Sequence, residues 1–401
     1  SQVTAFAIAA AFAVRNNAHE VAARDLIARL TGKPVTLSSE LSNALDAPRR
    51  ALTALLNARL ISRITHLIEA VRAAMDGLGI KGGLMVVKGD GTLASAETVA
   101  LRPIETVLSG PAASLVGAKW LAGCDDFILS DIGGTTTDVA ILSGGRPQVA
   151  PQGAEVGGWR TMVKAIDVKT IGLGGDSEVQ LDGLGNLIIG PQRAVPVSLL
   201  AERFPVTQDL LDADLAETEG GSMLGKFLVR PFGDKGGASV GVTEREAEIL
   251  ARIGNEPVPL RRIAVSSAAQ RTVASLRRKG LLQYCCFTPS DSALVLGLQD
   301  NWPASAAVKA ARLMARFRMM KMPDDAETQN FCREVWHKTV SLSARIILET
   351  AMGPKDKDSA VWDAVCEGRG KVGLARVSLS PSVPIVAVGQ ATGDGEHGVD
   401  D

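Results

Sequence analysis

The chain has 401 residues, of which 46% are hydrophobic and 22% charged, and its formal net charge is −1. That length allows two or three domains around a large core, and the balance is that of an ordinary soluble globular protein. A near-neutral chain with four histidines and one tyrosine offers no field to recruit polynucleotide or anionic membrane and little aromatic surface for stacking on bases, so neither partner is expected. The five cysteines, Cys124, Cys285, Cys286, Cys332 and Cys366, contain no C-x-x-C pair. An odd set of this kind in a large chain argues against a disulfide framework or a structural zinc site and fits a reducing cytoplasm.

The opening apolar run is interrupted by Arg15, Asn16, Asn17 and His19, well short of the ~20 residues that span a bilayer. A buried strand or helix is expected there rather than a signal sequence. Ala18–Leu30 carries a helical apolar stripe through Val21, Ala22, Leu26, Ile27 and Leu30, and Gly32-Lys33-Pro34 ends it. Val35–Leu37 reads as a short strand. Asn43–Met75 reads as a long helical stretch broken near Pro48. Leu84–Val87 is a continuous apolar run of the kind found in strands covered on both faces. Ser109-Gly110-Pro111 opens a helix that runs to about Leu121, with Pro111 in the first turn where its missing N–H costs little. Phe127–Ser130 and Val139–Leu142 are buried strands, and Gly144-Gly145 turns the chain.

Residues 151–240 are Gly-rich and read as loops, with no periodicity over Gly220–Gly237. Helices are expected over Thr243–Ile253, Ala268–Lys279, Ala304–Met320 and Asp324–Met352. Val372–Leu379 and Val383–Val388 read as closing strands, and the acidic end, Gly393–Asp401, as frayed.

The segment that carries chemistry is Asp131-Ile132-Gly133-Gly134-Thr135-Thr136-Thr137-Asp138, between two apolar strands. Glycines without β-carbons let backbone N–H groups approach an anion, and successive N–H groups form an anion-binding nest. Thr135, Thr136 and Thr137 add hydroxyl donors. Asp131 and Asp138 would repel a bare phosphate, so they suit a magnesium-bound nucleotide or the holding of a water. A plain hairpin would explain the two glycines, but it needs neither three threonines in a row nor two flanking aspartates. Gly172, Gly174, Gly175 and Ser177 form a second glycine cluster, a plausible further wall of the same cleft. The strand ending at Gly389 is a third candidate, where an adenine ring could lie against backbone, and a core strand explains it equally well.

Other polar residues have plainer readings. His19 suits capping and packing, and Ser290-Asp291 suits a helix N-cap, with Asp291 alternatively at a domain interface. His66 and His337 suit helix surfaces, and Cys285-Cys286 two small buried hydrophobes. Arg261-Arg262 and Arg277-Arg278-Lys279 suit solvated helix ends. Lys88 and Lys164 could approach a phosphate, but sequence alone does not place them.

In order, Asn16–Glu20, Leu37–Glu40 with Arg50 and Asn57, Ser109–Ala118, Asp131–Val139, Ile171–Ser177, Ile189-Gly190-Pro191, Phe287–Asp291 with Leu296-Gly297, and Pro384–Gly389 resemble the A subunit of the hydantoinase/oxoprolinase family. The Asp131–Val139 stretch is similar to the second phosphate motif of the wider actin, sugar kinase and chaperone ATPase superfamily. The resemblance implies an α/β protein of actin-like ATPase (ribonuclease H-like) fold with helical additions. It implies a remainder of a first lobe at 1–108, a nucleotide-binding core at 109–240, and a helical region with closing strands of the second lobe at 241–401. The activity it implies is ATP-dependent hydrolysis of a cyclic amide, a hydantoin or 5-oxoproline, with ATP and Mg²⁺ as cofactors and a B-type subunit as partner. A lactam is a poor electrophile, and phosphorylating its carbonyl oxygen turns that oxygen into a leaving group. Asp131 and Asp138 would then position metal or water. Gly133–Thr137, Gly172, Gly174, Gly175, Ser177 and Gly389 would contact the nucleotide.

Two features depart from the family. Its additional Gly-Gly-Thr phosphate loop has no second copy here, so a fragment, a split subunit or a degenerate paralogue is expected. Asp176 stands where a third glycine is usual, bringing negative charge toward the nucleotide. An ATP-binding switch subunit without turnover, or a small-molecule kinase on the same fold, are the alternatives.

Overall fold

The computed structural model describes residues 3–218, 221–232, 241–353, 362, 365–366, 371–372, 375–376 and 378–389. The chain divides into two compact units that are not consecutive stretches: residues 1–131, 138–169 and 381–388 form the first, and 132–137, 170–380 and 389–401 the second.

In the first unit, Phe6–Ile8 and Val35–Leu37 form a parallel pair, flanked by helices Ala18–Thr31 and Ala47–Gly77. The opening run contributes only a three-residue strand that is largely accessible, with Phe12 exposed and Ala13 buried; it is not the buried element expected. Pro48 lies in the first turn of the long helix, capped by the Asp46 carboxylate on Arg49 N–H. It begins the helix rather than breaking it, because a first-turn residue has no intrahelical bond to lose.

A buried polar lattice ties these elements together. Glu20 accepts from Ala10 N–H at 2.8 Å, from the Ser38 hydroxyl at 2.6 Å and from both the amide and the hydroxyl of Ser39. Arg50, fully buried, donates to the carbonyls of Ala10, Ala11 and Ala44. Asn57 bridges Thr36, Leu101 and Ile104. Charged groups tolerate burial only with this degree of pairing.

The central sheet runs in the order Val168–Ile171, Thr137–Ser143, Phe127–Ile132, Ile385–Gly389, with Arg146–Pro147 also on the Thr137–Ser143 strand. Helix Ser109–Ala122 buries Ala112, Leu115 and Ala118 against Phe127, Leu129, Ala140 and Leu142. The glycine at the end of that helix, Gly123, takes the left-handed conformation that terminates it.

The second unit carries more regular structure over 170–218 than its glycine content suggests. Ser177–Leu181 and Leu187–Arg193 form an antiparallel hairpin, followed by helices Val197–Arg203 and Val206–Ala216 and the strand Phe227–Val229. A four-stranded sheet is ordered Val195–Pro196, Gln283–Cys286, Phe227–Val229, Val258–Pro259. Its core joins Leu200, Leu211, Phe227, Phe287, Ala310, Phe331 and Val335. Capping boxes start three helices: Thr243 with Glu246, Thr288 with Asp291, and Asp324 with Glu327.

Val372–Leu379 is not one strand. Lys371–Val372 and Ala375–Arg376 pair antiparallel, and Ser378 and Leu379 lie outside any strand. Gly393–Asp401 and part of Gly220–Gly237 fall outside the described residues.

Candidate functional site

The turn Gly133–Thr136 belongs to the second unit and joins the strands Phe127–Ile132 and Thr137–Ser143, both rich in buried apolar residues. A single bond, from Gly133 N–H to the Thr136 carbonyl at 2.9 Å, closes the turn. Among the described residues, the amides of Gly134 and Thr135 and the hydroxyls of Thr135 and Thr136 have no hydrogen-bond partner. All four residues from 133 to 136 are partly accessible. This cluster of open donors is what an oxyanion requires.

Thr137 differs from its neighbours. Its side chain is fully buried and its hydroxyl donates to the Leu173 carbonyl at 2.8 Å. It fastens the turn to the following segment and has no hydroxyl left for a phosphate.

The second glycine cluster is also committed internally. Gly175 N–H donates to the Gly133 carbonyl and Asp176 N–H to the Gly134 carbonyl, while Gly174 N–H donates to the Ser177 hydroxyl oxygen. A β-carbon at Gly174 would lie 2.3 Å from the Gly133 oxygen, and one at Gly172 would lie 2.6 Å from Pro191 Cβ. These glycines let two backbones touch. Gly389 does the same: its φ is 143°, and a β-carbon there would fall 2.1 Å from the Ile132 carbonyl. Gly174, Gly175 and Gly389 therefore pack on the turn, Ser177 holds the Gly174 amide and Gly172 lies against Pro191, and the open donors belong to 134–136.

The flanking carboxylates belong to the first unit. Asp131, half-buried, accepts from the Ser114 hydroxyl at 2.6 Å, which anchors helix Ser109–Ala122 to the strand end. Asp138 is likewise half-buried.

Asp176, expected from its position to bring negative charge toward the nucleotide, stands at the turn together with Arg193, for which sequence reasoning gave no role. Asp176 presses its carboxylate against Gly134, where a β-carbon would lie 2.7 Å from Oδ2. Arg193 pairs with that same oxygen at 3.0 Å. Burial raises the Asp176 pKa above the ordinary carboxylate value, against the lowering effect of Arg193. The signal for this pair was the hairpin itself, because Ser177 and Arg193 are partners in its register.

Asp291 is not the N-cap. Thr288 is the cap, and Asp291 is fully buried at the third helical position. Its carboxylate accepts from Thr288 and from the Val197 and Ser198 amides, so one side chain starts two helices. Burial raises its pKa, and the bonds from Ser198 and its neighbours offset this in part.

The basic pairs are partly committed too. Arg261 holds Asp214 at 2.8 Å and Glu217 at 3.0 Å. Arg277 lies over the Tyr284 ring, 4.9 Å from its centre. Lys88 pairs with Asp90 and Glu105. His19, His66 and His337 are exposed. All five cysteines are free, and burial pushes the Cys285 and Cys286 thiols far upward.

Among the described residues no group of three or more His, Cys, Asp or Glu could cage a metal. Magnesium needs no such cage, since it keeps several waters and takes one or two carboxylates plus substrate phosphates. A carboxylate lying on a turn of open amides, as Asp176 does, fits that donor set.

Residues 50–203 match the sequence profile of the family described as Hydantoinase/oxoprolinase. The chain is 30% identical to caprolactamase subunit alpha of Pseudomonas jessenii over 221 residues, 54% of this chain and 32% of that one. It is 28% identical to 5-oxoprolinase 1 of Arabidopsis thaliana over 218 residues, 53% of this chain and 16% of that one. It thus spans a third or less of these curated relatives. Its fold is similar to that of the ATP-dependent caprolactamase crystal structure from Pseudomonas jessenii, with a TM-score of 0.52, 22% identity, and coverage of 87% of this chain and 40% of that one. The architecture is accordingly α/β and shares the fold of that structure. No helix among the described residues is long and apolar enough to cross a membrane.

Proposed function

With residues 50–203 a hydantoinase/oxoprolinase domain, we propose that this chain is the ATP-binding part of an A-type subunit that hydrolyses a cyclic amide of hydantoin or 5-oxoproline type. The observation that carries this is the set of unpartnered donors on Gly134, Thr135 and Thr136, held open by a segment that consumes its own. Backbone donors fixed in advance stabilise phosphate charge without reorganising when it arrives, and such positioning supplies most of the catalysis in phosphoryl transfer. Asp131 and Asp138 flank the turn and are assigned to metal or water positioning. Magnesium entering with the nucleotide would supply positive charge to the phosphate oxygens.

A B-type subunit is the proposed protein partner and the cytoplasm the proposed location, the latter supported by five free cysteines. The test is calorimetric titration of the full chain with Mg·ATP, followed by ADP release in the presence of hydantoin or 5-oxoproline and the partner subunit. Binding with ring-opening coupled to ADP is the expected result. Binding with no turnover would select the switch reading, and a phosphorylated product the kinase. No binding would overturn the proposal.

A further inference from the structure

We propose that Asp176 and Arg193 form a charge gate on the phosphate turn that makes nucleotide binding depend on a divalent cation. The inference rests on the phosphate reading of Gly133–Thr136 and concerns residues outside that motif.

Asp176 is fixed from both sides through its backbone. Its N–H donates to the Gly134 carbonyl at 2.8 Å, and its own carbonyl accepts from Ala194 N–H at 2.7 Å. These bonds hold the Asp176 main chain beside the turn, so its short side chain stays within reach of Gly134. Its Oδ2 lies against Gly134, whose amide is one of the open donors. A phosphate oxygen drawn to that amide meets a carboxylate at close range, in a place where water screens little because the Asp176 side chain is only 17% exposed.

Arg193 is the exposed member. It reaches Asp176 Oδ2 from the end of the neighbouring strand at 3.0 Å, yet its own side chain is 62% exposed. A long exposed guanidinium can turn to an incoming phosphate, whereas the short Asp176 side chain stays close to the turn. Once Arg193 turns, Asp176 needs another cation. A hydrated divalent ion carried by the nucleotide meets that need, since such an ion takes one carboxylate together with phosphate oxygens. The same pair penalises a bare polyphosphate, which would approach an anion already present. Asp176 thus acts as a selector for metal-bound nucleotide, and Arg193 as the neutraliser that keeps the turn stable while empty of ligand.

The experiment is calorimetric titration of the full chain with the non-hydrolysable analogue AMPPNP, once in Mg²⁺ and once in EDTA. For the unaltered protein, affinity in Mg²⁺ should exceed affinity in EDTA by a hundredfold or more on the order expected for a charge-selective site. Asp176→Asn should collapse that ratio to roughly tenfold or less, mainly by raising the affinity in EDTA. Arg193→Ala should weaken binding in EDTA most, and Arg193→Lys should restore part of it. Asp176→Ser serves as the second variant, and a thermal melt verifies that each protein is folded.

An unchanged Mg²⁺-to-EDTA ratio in both folded Asp176 variants would overturn the gate and leave the phosphate site standing. If the unaltered protein bound AMPPNP in neither condition, the site itself would fall, and the gate with it.

Discussion

The turn at 133–136 and the segment at 172–177 have similar compositions but use their backbones in opposite ways. In the first, glycine frees amides: Gly134 and Thr135 have no internal partner among the described residues. In the second, glycine removes side chains so that amides can be used up, on Gly133, Gly134 and Ser177. A glycine cluster alone does not say which of these it is. The difference is whether the neighbouring chain supplies acceptors, and that is a property of the tertiary structure.

The sharpest way to break this comparison is to disturb what holds the committed segment. Ser290 N–H donates to the Gly175 carbonyl, and helix Pro289–Val295 is started by the same Asp291 that starts Val197–Arg203. Asp291→Ala leaves three amides and two hydroxyls without their buried acceptor, a loss on the order of 4 kcal/mol. Chemical denaturation should report it, and nucleotide binding should fall only as the folded fraction falls.

Gly174→Ala comes next. Its new methyl group would meet backbone at 2.3 Å, with no flexible side chain to give way, which costs about 3 kcal/mol. The expected result is joint loss of stability and binding. A protein as stable as the original would mean that the contact with Gly133 is loose.

Gly134→Ala should separate the two effects. Its methyl group would meet only the tip of the Asp176 side chain, so stability should drop by less than about 1 kcal/mol. It also covers an open amide, so Mg·ATP affinity should fall at least about tenfold. Equal losses at Gly134 and Gly174 would erase the distinction between the two segments.

How much of this was legible in the sequence follows the range of the interaction. Local rules worked: Gly32 ends its helix with a left-handed cap, and Ser109–Ala122 and Ala18–Thr31 begin where expected. The Asp131–Asp138 segment stands out because its candidate donors are consecutive in the sequence; its nucleotide role is a proposal. Helices Val197–Arg203 and Val206–Ala216 were missed, since the first is started by a carboxylate 93 or more residues away. The roles of Thr137 and Gly174 were missed for the same reason, their partners being Leu173 and Gly133 in space. Arg261 and Arg277 looked like solvated helix ends because nothing near them in sequence shows Asp214 or the Tyr284 ring.

The smallest predicted effect concerns the carboxylate that lies between the two segments. Burial raises the Asp176 pKa above 3.8 in the folded protein, and Arg193 offsets only part of the rise. The unfolded chain therefore loses this proton first as pH increases, and the folded state binds more protons over the interval between the two pKa values. Stability must then decline as pH rises from about 3.8 through the folded value and level off above it. Asp176→Asn removes that ionisation. Its melting temperature should match the original below pH 3.8 and exceed it modestly near neutrality, read by differential scanning fluorimetry across pH 3–8. A difference of the opposite sign, with the asparagine variant less stable at neutral pH, would mean that pairing with Arg193 outweighs burial. The carboxylate would then be a stabilising contact of the resting protein instead of a group held at a disadvantage until a cation reaches it.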